Sequence, residues 1–288
     1  MPSHADSVRT TSKSGARWYD WKGERFWSVT TIISGGLPKR ALIYWSANQV
    51  AEFACDHVDE VKSLIADGER DAAYDLLKRS PWRKRDKAAD IGTAIHEAIE
   101  AHVLGKPTPE WPLPLRPRMQ AFERFLAEYE PSFVPAPVVG QHRELGDGIL
   151  LAEAPVFNRT QHYAGTLDGV VEIGGRTLVL DVKTSARGIY PEIGMQLAAY
   201  RFAEFVGLPD GSEQAMPATD GAVALHLPDD GTYELREIQA DEETFRSFLY
   251  VREVYRFLND IADGVVRGIV PLPGTVTEEQ LALAKEVA

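Results

Sequence analysis

The sequence predicts an α/β protein: a central mixed β-sheet flanked by helices, with a helical elaboration on its N-terminal side. Residues 163–183 read as two β-rich runs joined by Gly174 and Gly175, a two-residue hairpin turn. Around them, residues 89–105 and 193–205 repeat apolar side chains at the spacing of amphipathic helices. A chain of 288 residues can bury a substantial core, as one large domain or as a domain with an appendage.

The elements follow in order. Residues 1–15 are polar and are expected to be a disordered tail. Trp18 to Trp27, with Lys22 and Gly23 at the turn, reads as a short hairpin. From Pro38 to about Arg79 the pattern is helical, with Leu42, Trp45, Val50, Phe53 and Ala54 in packing stripes. In the 89–105 helix, Ile91, Ala94, Ile95, Ala98, Ile99 and Val103 form one apolar stripe, and Gly92, His96 and Glu100 line a second beside it. Prolines from Pro107 to Pro117 mark a stiff loop, and Met119–Tyr129 is another amphipathic helix. Residues 137–183 are the strand-rich centre, with Glu153 in the strand-like ILLAEAPVFN. Ile193–Phe205 is read as a helix carrying Gln196 and Tyr200 one turn apart, 221–238 as a hairpin turning at Asp229, Asp230 and Gly231, and Thr244–Ala262 as a helix. Pro271, Pro273 and Gly274 then break the chain before a short final helix. The expected division is a tail (1–15), an N-terminal hairpin and helical region (16–136), a core (137–268) and a C-terminal tail (269–288).

The chemistry concentrates in the central hairpin. Side chains alternate along a strand, so Asp181 and Lys183 share one face while Val182 points away. The antiparallel return brings Asp168 toward Asp181, and two converging carboxylates suit a hard divalent cation. Leu178, Val179 and Leu180 read as a strand buried on both faces, where an acid is costly unless paired or holding a metal. A surface Asp181–Lys183 pair is the plain alternative. Gly92, one turn before His96, lets a backbone or ligand approach the imidazole; an ordinary His96–Glu100 pair is the alternative there.

Together these residues resemble the PD-(D/E)xK nuclease superfamily, with Asp168 as the first acid and Asp181-Val182-Lys183 as the D-x-K element. The Gly92-x-x-x-His96-x-x-x-Glu100 pattern is similar to the histidine motif of the RecB-type branch, and Gln196-x-x-x-Tyr200 to the element that follows its catalytic strand. The block SVTTIISGGLPKRALIYW resembles the start of phage-encoded RecB-type exonucleases, which extends the likeness to roughly residues 18–207.

The resemblance implies a restriction-endonuclease-like core and hydrolysis of DNA phosphodiesters. It implies Asp168, Asp181, His96 and the Val182 carbonyl as metal ligands, Glu153 and Glu100 as additional acids, and Gln196 and Tyr200 as contacts to the DNA backbone or supports for the lysine. The metal would be Mg2+ or Mn2+, and an imidazole ligand favours Mn2+ relative to an all-oxygen site. Lys183 beside two acids keeps its proton, so its expected role is electrostatic. An exonuclease in recombination, repair or end processing is the leading expectation, with DNA and a recombinase or single-strand annealing protein as partners, in the cytoplasm of a bacterium or a phage-infected host. A structure- or sequence-specific endonuclease and a catalytically silent DNA-binding protein are the alternatives, and oligomeric state is left open.

Composition narrows this further. Cys55 is the only cysteine, which excludes an intramolecular disulfide and a four-cysteine iron-sulfur cluster. No apolar run approaches the length of a membrane helix. A net charge of −12 makes any contact with DNA local, because polyanion affinity comes from basic side chains. The dense basic stretch KRSPWRKRDK supplies Arg79, Arg83, Lys84 and Arg85, with Trp82 available to stack on a base; a solvated helix face would explain the same run.

Overall fold

The computed structural model describes residues 8–12, 16–38, 40–106, 111–134, 151–185, 188–268 and 270, with the backbone alone at 40, 41 and 84–89. The expected final helix and the first part of the strand-rich centre, 137–150, lie outside the described residues.

Within the expected disordered tail, residues 8–12 are described and include a strand. Strand β1 (Arg9–Thr11) pairs antiparallel with β2 (Arg17–Trp21), which turns through Lys22 and Gly23 into β3 (Glu24–Ser28). Both turn residues have positive φ, 50° and 83°, as a two-residue hairpin requires. A polar three-residue strand has no hydrophobic period to betray it, and here cross-strand pairing overrides composition.

Helix α1 (Val29–Gly36) follows directly, and the expected helical stretch is broken into α2 (Arg40–Asp56), α3 (Val58–Ala66) and α4 (Arg70–Lys78). Helix α5 (Ser80–Val103) is longer than expected and joins the basic stretch to His96 in one rod. Helix α6 (Arg116–Tyr129) starts earlier than expected, because Pro117 serves in its first turn instead of closing the loop.

The short β4 (Ser132–Phe133) precedes β5 (Ala152–Asn158), β6 (Tyr163–Ile173) and β7 (Arg176–Lys183). Gly174 and Gly175, at φ 57° and 76°, make the expected β6–β7 turn. Helix α7 (Ile193–Arg201) ends before Phe205, correcting the longer helix read from the sequence. Glu204 turns back to accept the N–H groups of Arg159 (2.8 Å) and Thr160 (3.2 Å), and β8 (Phe205–Gly207) pairs with β5. Strand β9 (Glu213–Ala215) pairs with β8; the expected hairpin appears as β10 (Gly221–His226) and β11 (Glu234–Ile238), and α8 (Glu242–Arg256) is N-capped by Asp241.

The described strands form one mixed sheet. Its main path is β11-β10-β7-β6-β5-β8-β9, with β10–β7 and β3–β6 parallel and the remaining pairs antiparallel. One face packs α1, α7 and α8 through Val179, Leu197 and Phe248; the other packs α5 and α6 through Leu178, Leu180, Ile95 and Phe122. The Leu178–Leu180 run is therefore buried on both faces, as its sequence predicts. Among the described residues no helix is long and apolar enough to cross a membrane.

Candidate functional site

Strand β6 changes partners along one edge. Tyr163 and Ala164 pair with β3, whereas Gly169–Ile173 pair with β7, which leaves residues 165–168 between the two neighbours. Register continued one step past Gly169 and Leu180 sets Asp168 opposite Asp181, so the two acids lie where the strands part. There the Val182 N–H donates to Asp168 Oδ2 at 2.6 Å, a carboxylate standing in for a ladder acceptor. The same Val182 side chain is buried on the opposite face, with Leu178 and Leu180. Glu153 lies across β6 from Asp168, between the pairs Ala152–Gly169 and Ala154–Leu167. Its backbone is left-handed, φ 48°, a conformation that costs a non-glycine residue energy and clusters at functional sites.

Helix α5 passes over this gap. Gly92 lies against the Thr184 hydroxyl, where an added Cβ would come to 3.2 Å, so the close approach expected near the histidine is made by the residue that follows β7. His96 Nδ1 lies 3.3 Å from Glu153 Oε1 and 3.5 Å from Asp168 Oδ1. One ligand atom from each of His96, Glu153 and Asp168 lies within 4.8 Å of the others. Glu153, ranked only as an additional acid from sequence, is thus one of the three members of the cluster. Glu100, one turn further along α5, lines the cleft and pairs with Lys106 at 3.5 Å.

Asp181 anchors the second half of the site. It is 1% exposed, and its Oδ1 accepts from Gln196 Nε2 at 2.8 Å. The Lys183 ammonium lies 2.7 Å from Oδ2, but as an ion pair without hydrogen-bond alignment, so Oδ2 is a buried oxygen with no aligned donor. Lys183 also donates to Gln196 Oε1 at 3.4 Å, and the Gln196 amide reaches the Tyr200 hydroxyl at 3.4 Å. An amide between a carboxylate and an ammonium can satisfy both in only one orientation, NH2 toward the acid and oxygen toward the lysine. The helical Gln-x-x-x-Tyr spacing read from sequence therefore clamps the D-x-K strand. Tyr200 packs over the stretch of β6 between its β3 and β7 pairings, where a Cβ on Gly165 would lie 2.4 Å from its ring.

Electrostatics follow from this packing. Burial opposes charge on the His96 ring, but Asp168 and Glu153 outweigh it and hold its pKa well above the ordinary histidine value. Burial pushes Glu153 up to about 6 against the hydrogen bond from His96. Burial also works against ionised Asp168, yet His96, Lys183 and the Val182 N–H hold it below the usual carboxylate range. Asp181 is raised to about 6 by burial, against the pull of Lys183. Lys183 is disfavoured as a cation by burial, and Asp181 and Asp168 reverse this, so its pKa is raised and the ammonium persists.

The donor set fits a hard divalent cation. It offers one imidazole nitrogen and the carboxylates of Glu153 and Asp168, with the buried Asp181 carboxylate held next to them by Lys183. The cleft measures about 580 Å³, and its outer wall is built by Arg9, Arg17 and Tyr19 of the N-terminal hairpin and by Lys106. Sequence reasoning missed these wall residues. The only available signal was that two arginines flank a hairpin, and nothing local ties that hairpin to β6. A larger groove of about 740 Å³ lies over β11 and α8, where Arg236 pairs with Glu234 at 2.7 Å and Glu237 with Arg176 at 2.7 Å.

The expected DNA-binding residues lie toward the other end of α5. Trp82 is about half exposed, Arg83 stacks over Phe53 at 6.0 Å, and Arg79 pairs with Asp75 at 3.6 Å. The side chains of Lys84 and Arg85 lie outside the described residues. No protein-family model and no curated protein matches this chain.

Proposed function

We propose that the chain is a Mg2+- or Mn2+-dependent deoxyribonuclease of the PD-(D/E)xK superfamily, RecB-type branch, acting from DNA ends in recombination or repair within the cytoplasm of a bacterium or phage-infected cell. The observation that carries this reading is the convergence of His96, Glu153 and Asp168 from a helix and two strands onto one point beside the Asp181–Lys183–Gln196 chain.

His96, Glu153 and Asp168 would hold the ion, with Asp181 at its side. When bound, the ion supplies Lewis-acid polarisation of a phosphate and a lowered pKa for water. Lys183 keeps its proton beside two acids, so it holds positive charge at the site where negative charge grows on the phosphate. Gln196 fixes the positions of Asp181 and Lys183 relative to each other, and Tyr200 backs Gln196 from within the core. Burial of Asp181 beneath the sheet edge would exclude water from one side of the reacting group.

Degradation of end-labelled linear DNA and of a closed circle of the same sequence tests this reading, with either metal and with EDTA, in the parent and in Lys183→Ala. Metal-dependent loss of the linear form alone, absent in the variant, is the expected result. Cleavage of the circle would reassign the protein as an endonuclease, and cleavage of neither would remove the enzymatic reading.

A further inference from the structure

The wall of the cleft opposite α5 bears cations that the hydrolytic chemistry leaves unused. Register in the N-terminal hairpin sets Arg9 opposite Tyr19 and Thr11 opposite Arg17. Cross-strand partners, and residues two apart on one strand, share a face, so Arg9, Arg17 and Tyr19 all lie on one side of the hairpin. That side is fixed toward the site, because the Tyr19 hydroxyl and Thr166 Oγ1 lie 2.8 Å apart and Thr166 shares the β6 face of Asp168. Burial raises the Tyr19 pKa, and the hydrogen bond with Thr166 and the nearby charges of Arg9 and Arg17 oppose that rise. Ser28 and Thr30, whose hydroxyls are 2.9 Å apart, continue the same wall.

The cations of this cleft are not equivalent. Lys183 is committed to Asp181, and Lys106 to Glu100. Arg17 is exposed, and among the described residues no carboxylate is paired with it. A guanidinium flanked by hydroxyl donors, facing a carboxylate cluster across a cleft, has the chemistry of an oxyanion receptor. The chain carries −12 overall, so a phosphate drawn into this cleft needs such local donors.

We propose that the β1–β2 hairpin forms a phosphate subsite, in which Arg17, with Arg9 and the Tyr19 hydroxyl, receives a phosphate of the bound DNA strand neighbouring the one at the His96 cluster. This rests on the nuclease reading above. The phosphate is either an internal diester or a terminal monoester, which present the same oxygens to the arginines.

The test is fluorescence anisotropy of a labelled DNA duplex in EDTA, bearing either a 5′-phosphate or a 5′-hydroxyl end, together with steady-state cleavage in Mn2+. Arg17→Ala is expected to weaken binding about tenfold, raise KM rather than lower kcat, and reduce the salt slope by about one phosphate contact. Arg17→Lys should recover the salt slope but only part of the affinity, since an ammonium lacks the bidentate fork. Arg25→Ala is the matched control: Arg25 opposes Asp20, on the other face of the hairpin, and removes the same charge away from the cleft. An Arg17→Ala penalty confined to 5′-phosphorylated DNA assigns a terminal phosphate, and an equal penalty on both ends assigns an internal one. Binding and salt slope unchanged in Arg17→Ala, or lowered equally in Arg25→Ala, would overturn the subsite. Failure of the parent to cleave would sink the nuclease reading alone, because the anisotropy series still decides the subsite without catalysis.

Discussion

The two ends of helix α5 carry different kinds of charge. At the His96 end, Asp181, Asp168 and Glu153 are withdrawn into the sheet, Lys183 is partly exposed, and every one of them touches another charged group. At the Trp82 end, Trp82 and Arg83 are exposed and α2 and α4 present Ile43, Tyr44 and Tyr74 at 71%, 74% and 58% exposure. Trp82 is fourteen residues before His96, about 21 Å along the axis, so the two ends cannot contact the same phosphate. Burial decides what each can do. Charge held in a low-dielectric gap acts strongly on a neighbouring group, whereas exposed charge is screened and contributes mainly to association.

The comparison predicts a graded series of losses. Asp168→Asn and Lys183→Ala should each lower metal-dependent cleavage on the order of 10²–10³-fold, read as kcat on linear DNA, because each removes charge aimed at the reacting group. Retention of near-parental kcat in either would break the assignment of the gap as the site. Gly165→Ala comes next: its Cβ would enter the Tyr200 ring, and overpacking of this kind costs about 1–3 kcal/mol in urea unfolding. Unchanged stability there would mean that Tyr200 is free to move and does not brace Gln196. Trp82→Ala should weaken DNA binding by about 1 kcal/mol, as the loss of one stacking contact does, with little change in kcat; equal losses in both would erase the contrast between the two ends.

The smallest effect concerns a pair remote from the cleft. Arg159 hydrogen-bonds Glu213 (3.1 Å) and Glu24 (3.0 Å), and holds the Glu213 pKa down to about 2. A carboxyl depressed on folding stabilises the protein fully above its unfolded pKa and loses that contribution as pH falls through the folded value. Glu213→Gln should therefore flatten thermal stability between about pH 4.5 and about pH 2, measured by melting, and leave DNA cleavage at neutral pH unaffected. An undiminished pH dependence in the variant would shift the cause to other acids.

What could be read in the sequence was whatever depends on local period. Strand parity placed Asp181 and Lys183 on one face, the Gly174-Gly175 pair fixed the hairpin, and helical spacing joined Gln196 to Tyr200. Contacts closed over long separations could not be read this way. Strand β1 is three polar residues with no hydrophobic period, Phe205 continued an apolar helical pattern although it pairs with Phe157, and Glu153 gained its place from a left-handed backbone that its residue type does not announce. Arg9 and Arg17 reach the cleft only because β3 joins β6, across more than one hundred residues of chain.

Binding of a divalent cation by His96, Glu153 and Asp168 is the central requirement of the proposed site. Mn2+ titration followed by electron paramagnetic resonance, on the parent and on Asp168→Asn, measures this without catalysis. Specific Mn2+ binding by the parent and a loss of at least about tenfold in affinity in the variant are expected. Equal binding by both proteins, or none by a parent that still cuts linear DNA in Mn2+, would contradict the proposed site.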